Sequence, residues 1–346
     1  MNTRLCIFCG KEPSNKTDEH VLPHWLIKLT GEPKRQALVS LRHDPQKRIS
    51  FDKLQFPACD DCNLRYGDEL ERPTSIVVRK MLRREPISAR EVSYLLDWVD
   101  KIRVGIWLGY HVLEDKRYYD FEPHFYINDR VGQRDHLLFV SATAKGGHGL
   151  QWHPPEDVLF ATTPCFFWLR INSLFIISLS YNTIVSEALE LPFFEKVGEG
   201  RGGRYRFELK PLPSNSLRLP DFGRKYRVLA QIIYPRKLEA VEVGRLGLKH
   251  ILNNDRRSSR ILEVTPGRVA VYPVAPSLNW LPKLTPSAKL LLENGVSDTI
   301  TLRRWLYDNK IEQIAKARPD KGWFQALEQE NSNFERKKRN LHNLLR

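Results

Sequence analysis

The chain is poor in cysteine, with five in 346 residues. Secreted scaffolds held by disulfides carry many more per residue, so a disulfide framework is excluded and a reducing compartment is expected. Long apolar runs are missing as well. The most hydrophobic stretch, Phe166 to Ser180, is interrupted by Arg170, Asn172 and Ser173 and falls short of the ~20 apolar residues a membrane span needs. Met1 to Cys6 show no basic segment followed by an apolar one, so no secretory signal is expected and a soluble, cytoplasmic protein is. There is no glycine-rich phosphate loop, no internal repeat and no low-complexity tract; Gly202-Gly203 is too short a signal to read.

Positive charge is what the sequence has in surplus. Fifty-five Lys and Arg against 41 Asp and Glu leave +14 at pH 7, which favours an anionic partner such as nucleic acid. The surplus is concentrated between Arg201 and Arg260, where fifteen basic residues face five acidic ones. Arg201, Arg204, Arg206, Arg224, Lys225 and Arg227 are the candidate phosphate contacts. Tyr205, Phe207, Tyr226 and Tyr234 interleave with the cations and are candidates for stacking on bases. The bland alternatives are a solvated basic surface and aromatics that belong to a core.

The length suits two or three domains, and the chain divides by pattern. Residues 1–75 are polar and turn-rich, as where a metal rather than a core organises the fold. Residues 76–117 read as a helical connector: a short helix from about Ser75 to Leu82, then a longer one headed by the capping-box pair Ser88 and Glu91. In that second helix Val92, Leu95, Leu96, Val99, Ile102, Val104 and Ile106 recur at helical spacing and predict one broad apolar face. Residues 118–283 read as mainly antiparallel β structure, with strands at 136–140, 158–161, 165–169 and 175–177. A basic helical tail, 284–346, has helical stretches at 288–293, 302–317 and from Trp323 onward. The expected class is α+β.

Cys6-x2-Cys9 and Cys59-x2-Cys62 are two knuckles 49 residues apart. Each two-residue gap lets both sulfurs of a tight turn face one ion, and two knuckles complete the four thiolates of a closed, structural Zn²⁺ site. A plain zinc ribbon would bring them within ~15–20 residues, so the insert holds something more. It holds Asp18-Glu19-His20-Val21-Leu22-Pro23. At a bent hairpin an adjacent carboxylate and imidazole can approach one phosphate: Glu19 as ligand of a hard cation such as Mg²⁺ or Mn²⁺, and neutral His20 taking a proton from water. Asn63, directly after the second knuckle, is the second candidate ligand, or else caps the helix that follows. His24 and His43 are alternative ligands. Trp25 reads as packing and Cys165 as a buried, inert thiol.

Together Cys6-x2-Cys9, Glu19-His20-Val21-Leu22-Pro23 and Cys59-x2-Cys62-Asn63, with a helix through Tyr66, Leu70 and Glu71, resemble the zinc-knuckle HNH endonucleases of the ββα-metal superfamily. The resemblance covers about residues 4–72. It implies His20 as general base, Glu19 and Asn63 as ligands of a catalytic Mg²⁺ or Mn²⁺, and the four cysteines as holders of zinc. It also implies DNA, ahead of RNA, as substrate. Residues 118–283, outside the resemblance, are expected to select or sense the substrate, or to bind a ligand or protein partner that gates the nuclease. The sequence departs from the family pattern where a middle Asn orients the histidine: Leu54 to Ala58 contain none, and Gln55 or a backbone carbonyl takes that part. An inactive, zinc-organised nucleic-acid-binding protein is the second expectation. If six to ten basic side chains reach phosphates, DNA affinity measured by fluorescence anisotropy falls ~10³–10⁵-fold between 50 and 200 mM salt.

Overall fold

The computed structural model describes residues 5–39, 47–113, 127–128, 136–143, 147–153, 164–180, 193–199, 205–210, 226–231, 261–265, 268–271, 288–317 and 329. Among them helices and antiparallel sheets combine in an α+β fold, as expected.

Strand β1 (Lys16–His20) pairs antiparallel with a later strand over Gln55–Cys59, with Glu19 opposite Phe56 and His20 opposite Gln55. Between the two lie helix α1 (His24–Leu29), the hairpin of β2 (Gln36–Val39) and β3 (Lys47–Ser50), and a single 3-10 turn, Phe51–Lys53. The Gln55–Cys59 strand, β4, runs straight into α2 (Asp60–Tyr66), so the paired strands β1 and β4 and the helix α2 form a ββα unit. A π-turn over Gly67–Glu71 carries the chain into α3 (Arg72–Leu82). Pro73 follows that turn; it has no N–H to continue the helical ladder, which accounts for the local widening.

The next helix, α4 (Ala89–Leu113), starts as its capping box predicts: the Ser88 N–H donates to Glu91 Oε2 at 2.7 Å, and the Glu91 N–H to Ser88 Oγ at 3.3 Å. It is not an amphipathic connector with one apolar face. The expected apolar residues are buried, but so are Asp97, Asp100, Lys101 and Arg103. The reason is that α4 is covered on two sides.

One cover is a seven-stranded antiparallel sheet. It comprises β5 (His136–Ala142), β6 (Leu150–His153), β7 (Phe166–Ile171), β8 (Leu174–Leu179), β11 (Arg227–Gln231), β12 (Leu262–Thr265) and β13 (Arg268–Val271). The order across it is β13-β12-β11-β5-β8-β7-β6. A separate hairpin joins β9 (Phe193–Glu199) and β10 (Tyr205–Lys210). Arg103 of α4 reaches Ser178 Oγ at 2.5 Å and the Pro164 carbonyl at 2.8 Å, while Asp100 meets Arg103 and His136. Successive strand residues face opposite ways, so α4 lies on the Ser178 face of β8. On the Phe175 face lies α5 (Ala288–Ala317), whose Gly295 leaves room for the Phe175 ring and whose Asp298 accepts a 2.9 Å hydrogen bond from buried Tyr226. The two helical stretches expected at 288–293 and 302–317 are thus one continuous helix. The packing of Phe175 against Gly295 bridges the break that the sequence suggests.

The ββα unit is the second cover of α4. A Cβ on Gly105 would lie 2.9 Å from Val21 Cγ1, and one on Gly109 3.0 Å from Leu54 Cδ1. Lys101, Gly105 and Gly109, at four-residue spacing, form the stripe that receives the module. The expected strand at 158–161 and, Gln329 excepted, the helix from Trp323 fall outside the described residues. No helix among those described is long and apolar enough to cross a membrane. Alanine at Gly105 gains helix propensity of about 1 kcal/mol but forces stiff, β-branched Val21 aside. We expect Gly105→Ala to lower stability by about 1–3 kcal/mol in urea unfolding, with Gly109→Ala milder.

Candidate metal centre and histidine site

The first knuckle is a turn closed by the Gly10 N–H on the Cys6 carbonyl at 2.9 Å. Gly10 has φ +72°, a conformation that glycine adopts without cost. The second knuckle sits where β4 becomes α2, with Cys59 as the residue before the helix and Cys62 within its first turn. Pairing of β1 with β4, and the Ile7 N–H bonded to the Pro57 carbonyl at 2.9 Å, bring the two turns together. The sulfurs of Cys6, Cys9, Cys59 and Cys62 all lie within 4.8 Å of one another. That separation suits four thiolates around one ion such as Zn²⁺, which would leave no coordination position open. Burial and the neighbouring Cys6 and Cys9 sulfurs push the Cys62 thiol up to about 12. So many thiolates ionise together only when a cation compensates them. Cys165, the fifth cysteine, lies buried at the start of β7, far along the chain from this cluster.

His20 closes β1 and is half-buried, and its Nε2 lies 2.7 Å from the Gln55 amide nitrogen. The strand register therefore supplies as neighbour the residue that the sequence offered in place of the missing Asn. With the amide N–H donating to Nε2, the neutral ring carries its proton on Nδ1; with the amide turned, the Gln55 oxygen accepts from Nε2–H and Nδ1 is left basic. Burial, and next the His24 imidazole, push His20 below the usual imidazole range, which favours the neutral ring near pH 7. The two rings are 6.2 Å apart, centroid to centroid.

Glu19 leaves β1 on the opposite face, and it is buried. Its Oε1 accepts a hydrogen bond from the ammonium of Lys101, which is also bound by Oε1 of Glu71. Trp25 is more than packing: its indole N–H donates to Glu71 Oε2 at 2.6 Å. The Phe8 ring lies under the ammonium at 5.9 Å, stacked in turn on Tyr66. Burial alone would lower the Lys101 pKa, but the Glu71 and Glu19 carboxylates raise it above its ordinary value. Asn63 does not cap α2; it lies inside the helix, its amide 3.5 Å from Thr17 Oγ1. Thr17 and Glu19 share one face of β1, so Asn63 stands on the carboxylate side. A divalent ion at Glu19 and Asn63 does not fit this arrangement as it stands, because Glu19 already holds a cation.

Of the candidate phosphate contacts, Arg227 is half-buried on β11 and Arg206 lies on β10. Arg201, Arg204, Arg224 and Lys225 lie outside the described residues, as do His43 and Tyr234. Tyr226 is core rather than a stacking platform: it is 7% exposed, packs edge-on against Phe139 and bonds Asp298. Lys101 and Glu71 escaped sequence reading as site residues. Lys101 looks like the polar face of an amphipathic helix, and nothing local marks the two carboxylates it meets.

Comparison with protein-family models, with curated proteins and with solved structures finds no match to this chain. We expect about one zinc per chain by elemental analysis. Stripping it with a chelator, or Cys62→Ser, should lower the melting temperature and loosen residues 5–71 in hydrogen exchange. Lys101→Ala should cost about 3–5 kcal/mol by leaving two buried carboxylates without their cation.

Proposed function

We propose that the chain is an endonuclease of the HNH kind that hydrolyses phosphodiester bonds of DNA, with His20 as general base. The observation that carries this reading is the ββα unit itself. It sets a half-buried imidazole at one end of the β1–β4 ladder, hydrogen-bonded to Gln55, while the other end of that ladder carries Cys59 of the four-cysteine cluster suited to zinc. With the Gln55 carbonyl oxygen accepting from Nε2–H, His20 Nδ1 takes a proton from water, the water oxygen attacks phosphorus and the 3′-oxygen leaves. The Mg²⁺ or Mn²⁺ that the resemblance implies would supply charge stabilisation to a phosphodiester, and Glu19 could hold it only without the Lys101 ammonium. Zinc, held by thiolates alone, would be structural.

A second reading, an inactive zinc-organised nucleic-acid-binding protein, draws support from the ammonium that neutralises Glu19. A nuclease gated by a ligand or partner on the β-rich region draws support from α4, which touches both the ββα unit and the sheet.

Plasmid and RNA cleavage in Mg²⁺ and Mn²⁺ tests the proposal. His20→Ala should lower the cleavage rate by at least ~10²-fold with DNA affinity little changed. Gln55→Ala should act mainly on kcat, since it orients the base and touches no substrate. A wild-type protein that cuts neither DNA nor RNA in either ion hands the case to the binding reading. Cutting that appears only with an added ligand or partner supports the gated one.

A further inference from the structure

The carboxylate that the resemblance assigns to a divalent ion already has a cation of its own. Lys101 is 1% exposed, and its ammonium hydrogen-bonds both Glu19 and Glu71. On Glu71 the second oxygen is closed by the Trp25 indole N–H. On Glu19 it is Oε1 that the Lys101 ammonium binds. Two carboxylates and one ammonium give the cradle a net charge of −1.

The backbone that carries the ammonium is fixed, so only the lysine side chain itself can leave the cradle. Its helix is held on the module side by Val21 and Leu54 against Gly105 and Gly109, and on the sheet side by Arg103 on Ser178 and Pro164. A divalent ion added beside a resident ammonium meets a like charge a few ångströms away in a site that water screens poorly. Exchanging the ammonium for that ion instead takes the cradle from −1 to neutral.

We propose that Lys101 is the resident cation of the Glu19–Glu71 cradle, and that a divalent ion reaches Glu19 only in exchange for its ammonium. Metal entry at Glu19 then requires the Lys101 side chain to leave the cradle. This rests on the reading of Glu19 as the ligand for the catalytic ion and adds a built-in competitor from a helix, 82 residues further along the chain.

Mn²⁺ titration of the zinc-loaded full chain, followed by electron paramagnetic resonance, tests the exchange. Mn²⁺ prefers oxygen ligands and leaves the thiolate cluster alone. Wild type should bind Mn²⁺ no better than Glu19→Gln. Lys101→Met should gain one Mn²⁺ per chain with affinity at least ~100-fold above wild type, and Lys101→Met/Glu19→Gln should lose it again. Lys101→Met/Glu71→Gln keeps the cradle at −1 and should also bind Mn²⁺, which guards against misfolding of the single variant.

The proposal is overturned if wild type already holds a Glu19-dependent Mn²⁺, or if a folded Lys101→Met variant gains none. Should neither lysine variant fold, the comparison of wild type with Glu19→Gln decides alone. No substrate is present in the titration, so failure of the endonuclease reading, seen as His20→Ala leaving cleavage intact, is scored separately.

Discussion

An ammonium group with no access to water has to be met by negative charge, and at Lys101 that requirement ties together three parts of the chain. Glu19 comes from β1, Glu71 from the π-turn after α2, and the lysine from the middle of α4. Isolated burial of any one of them would cost several kcal/mol; together they form a closed cluster with Trp25 and Phe8 around it. Because Glu19 is drawn inward to this cluster, strand alternation turns His20 outward. The exposure of the imidazole and the concealment of the carboxylate are two consequences of one contact.

The sulfur cluster acts as a second constraint on the same segment. It joins the turn at Cys6 to the junction of β4 and α2, while the β1–β4 ladder runs between them. Pairing His20 with Gln55 is a matter of register: a slip by one residue would offer Leu54 or Phe56 instead and reverse every side chain on the strand. The knuckles anchor that register at the Cys59 end, and Val21 and Leu54, wedged against the two glycines of α4, anchor it at the other. The polar groups of α4 that face away from the module, Asp100 and Arg103, are met by His136, Ser178 and Pro164 of the sheet region. One helix thus carries buried charge to both of its neighbours.

Local chemistry was legible where it is settled by neighbours in sequence. The paired C-x2-C turns, the Ser88–Glu91 capping box, the antiparallel strands around 136–140, 165–169 and 175–177, and Gln55 as a partner for His20 all correspond to features of the structure. What periodicity misjudged was the environment of α4 and of Tyr226. A helix with Asp, Lys and Arg on one side reads as solvated there, yet these residues are buried: Lys101 meets Glu19 and Glu71 from distant segments, while Arg103 meets Asp100 of its own helix and the Ser178 hydroxyl and Pro164 carbonyl of the sheet region. Tyr226, read among the arginines as a base-stacking candidate, belongs to the core under α5. A break expected near residue 295 is absent, since Gly295 makes room for Phe175, 120 positions earlier in the chain.

By itself the sequence determined the metal-binding potential of the four cysteines, the α+β class and the adjacency of an acid to a histidine, because spacing and composition act over a few residues. Tertiary structure alone decided which face of β1 each of that pair would take, and that the acid would meet a lysine. Such choices depend on which buried charges find each other across the fold, and no local pattern records that.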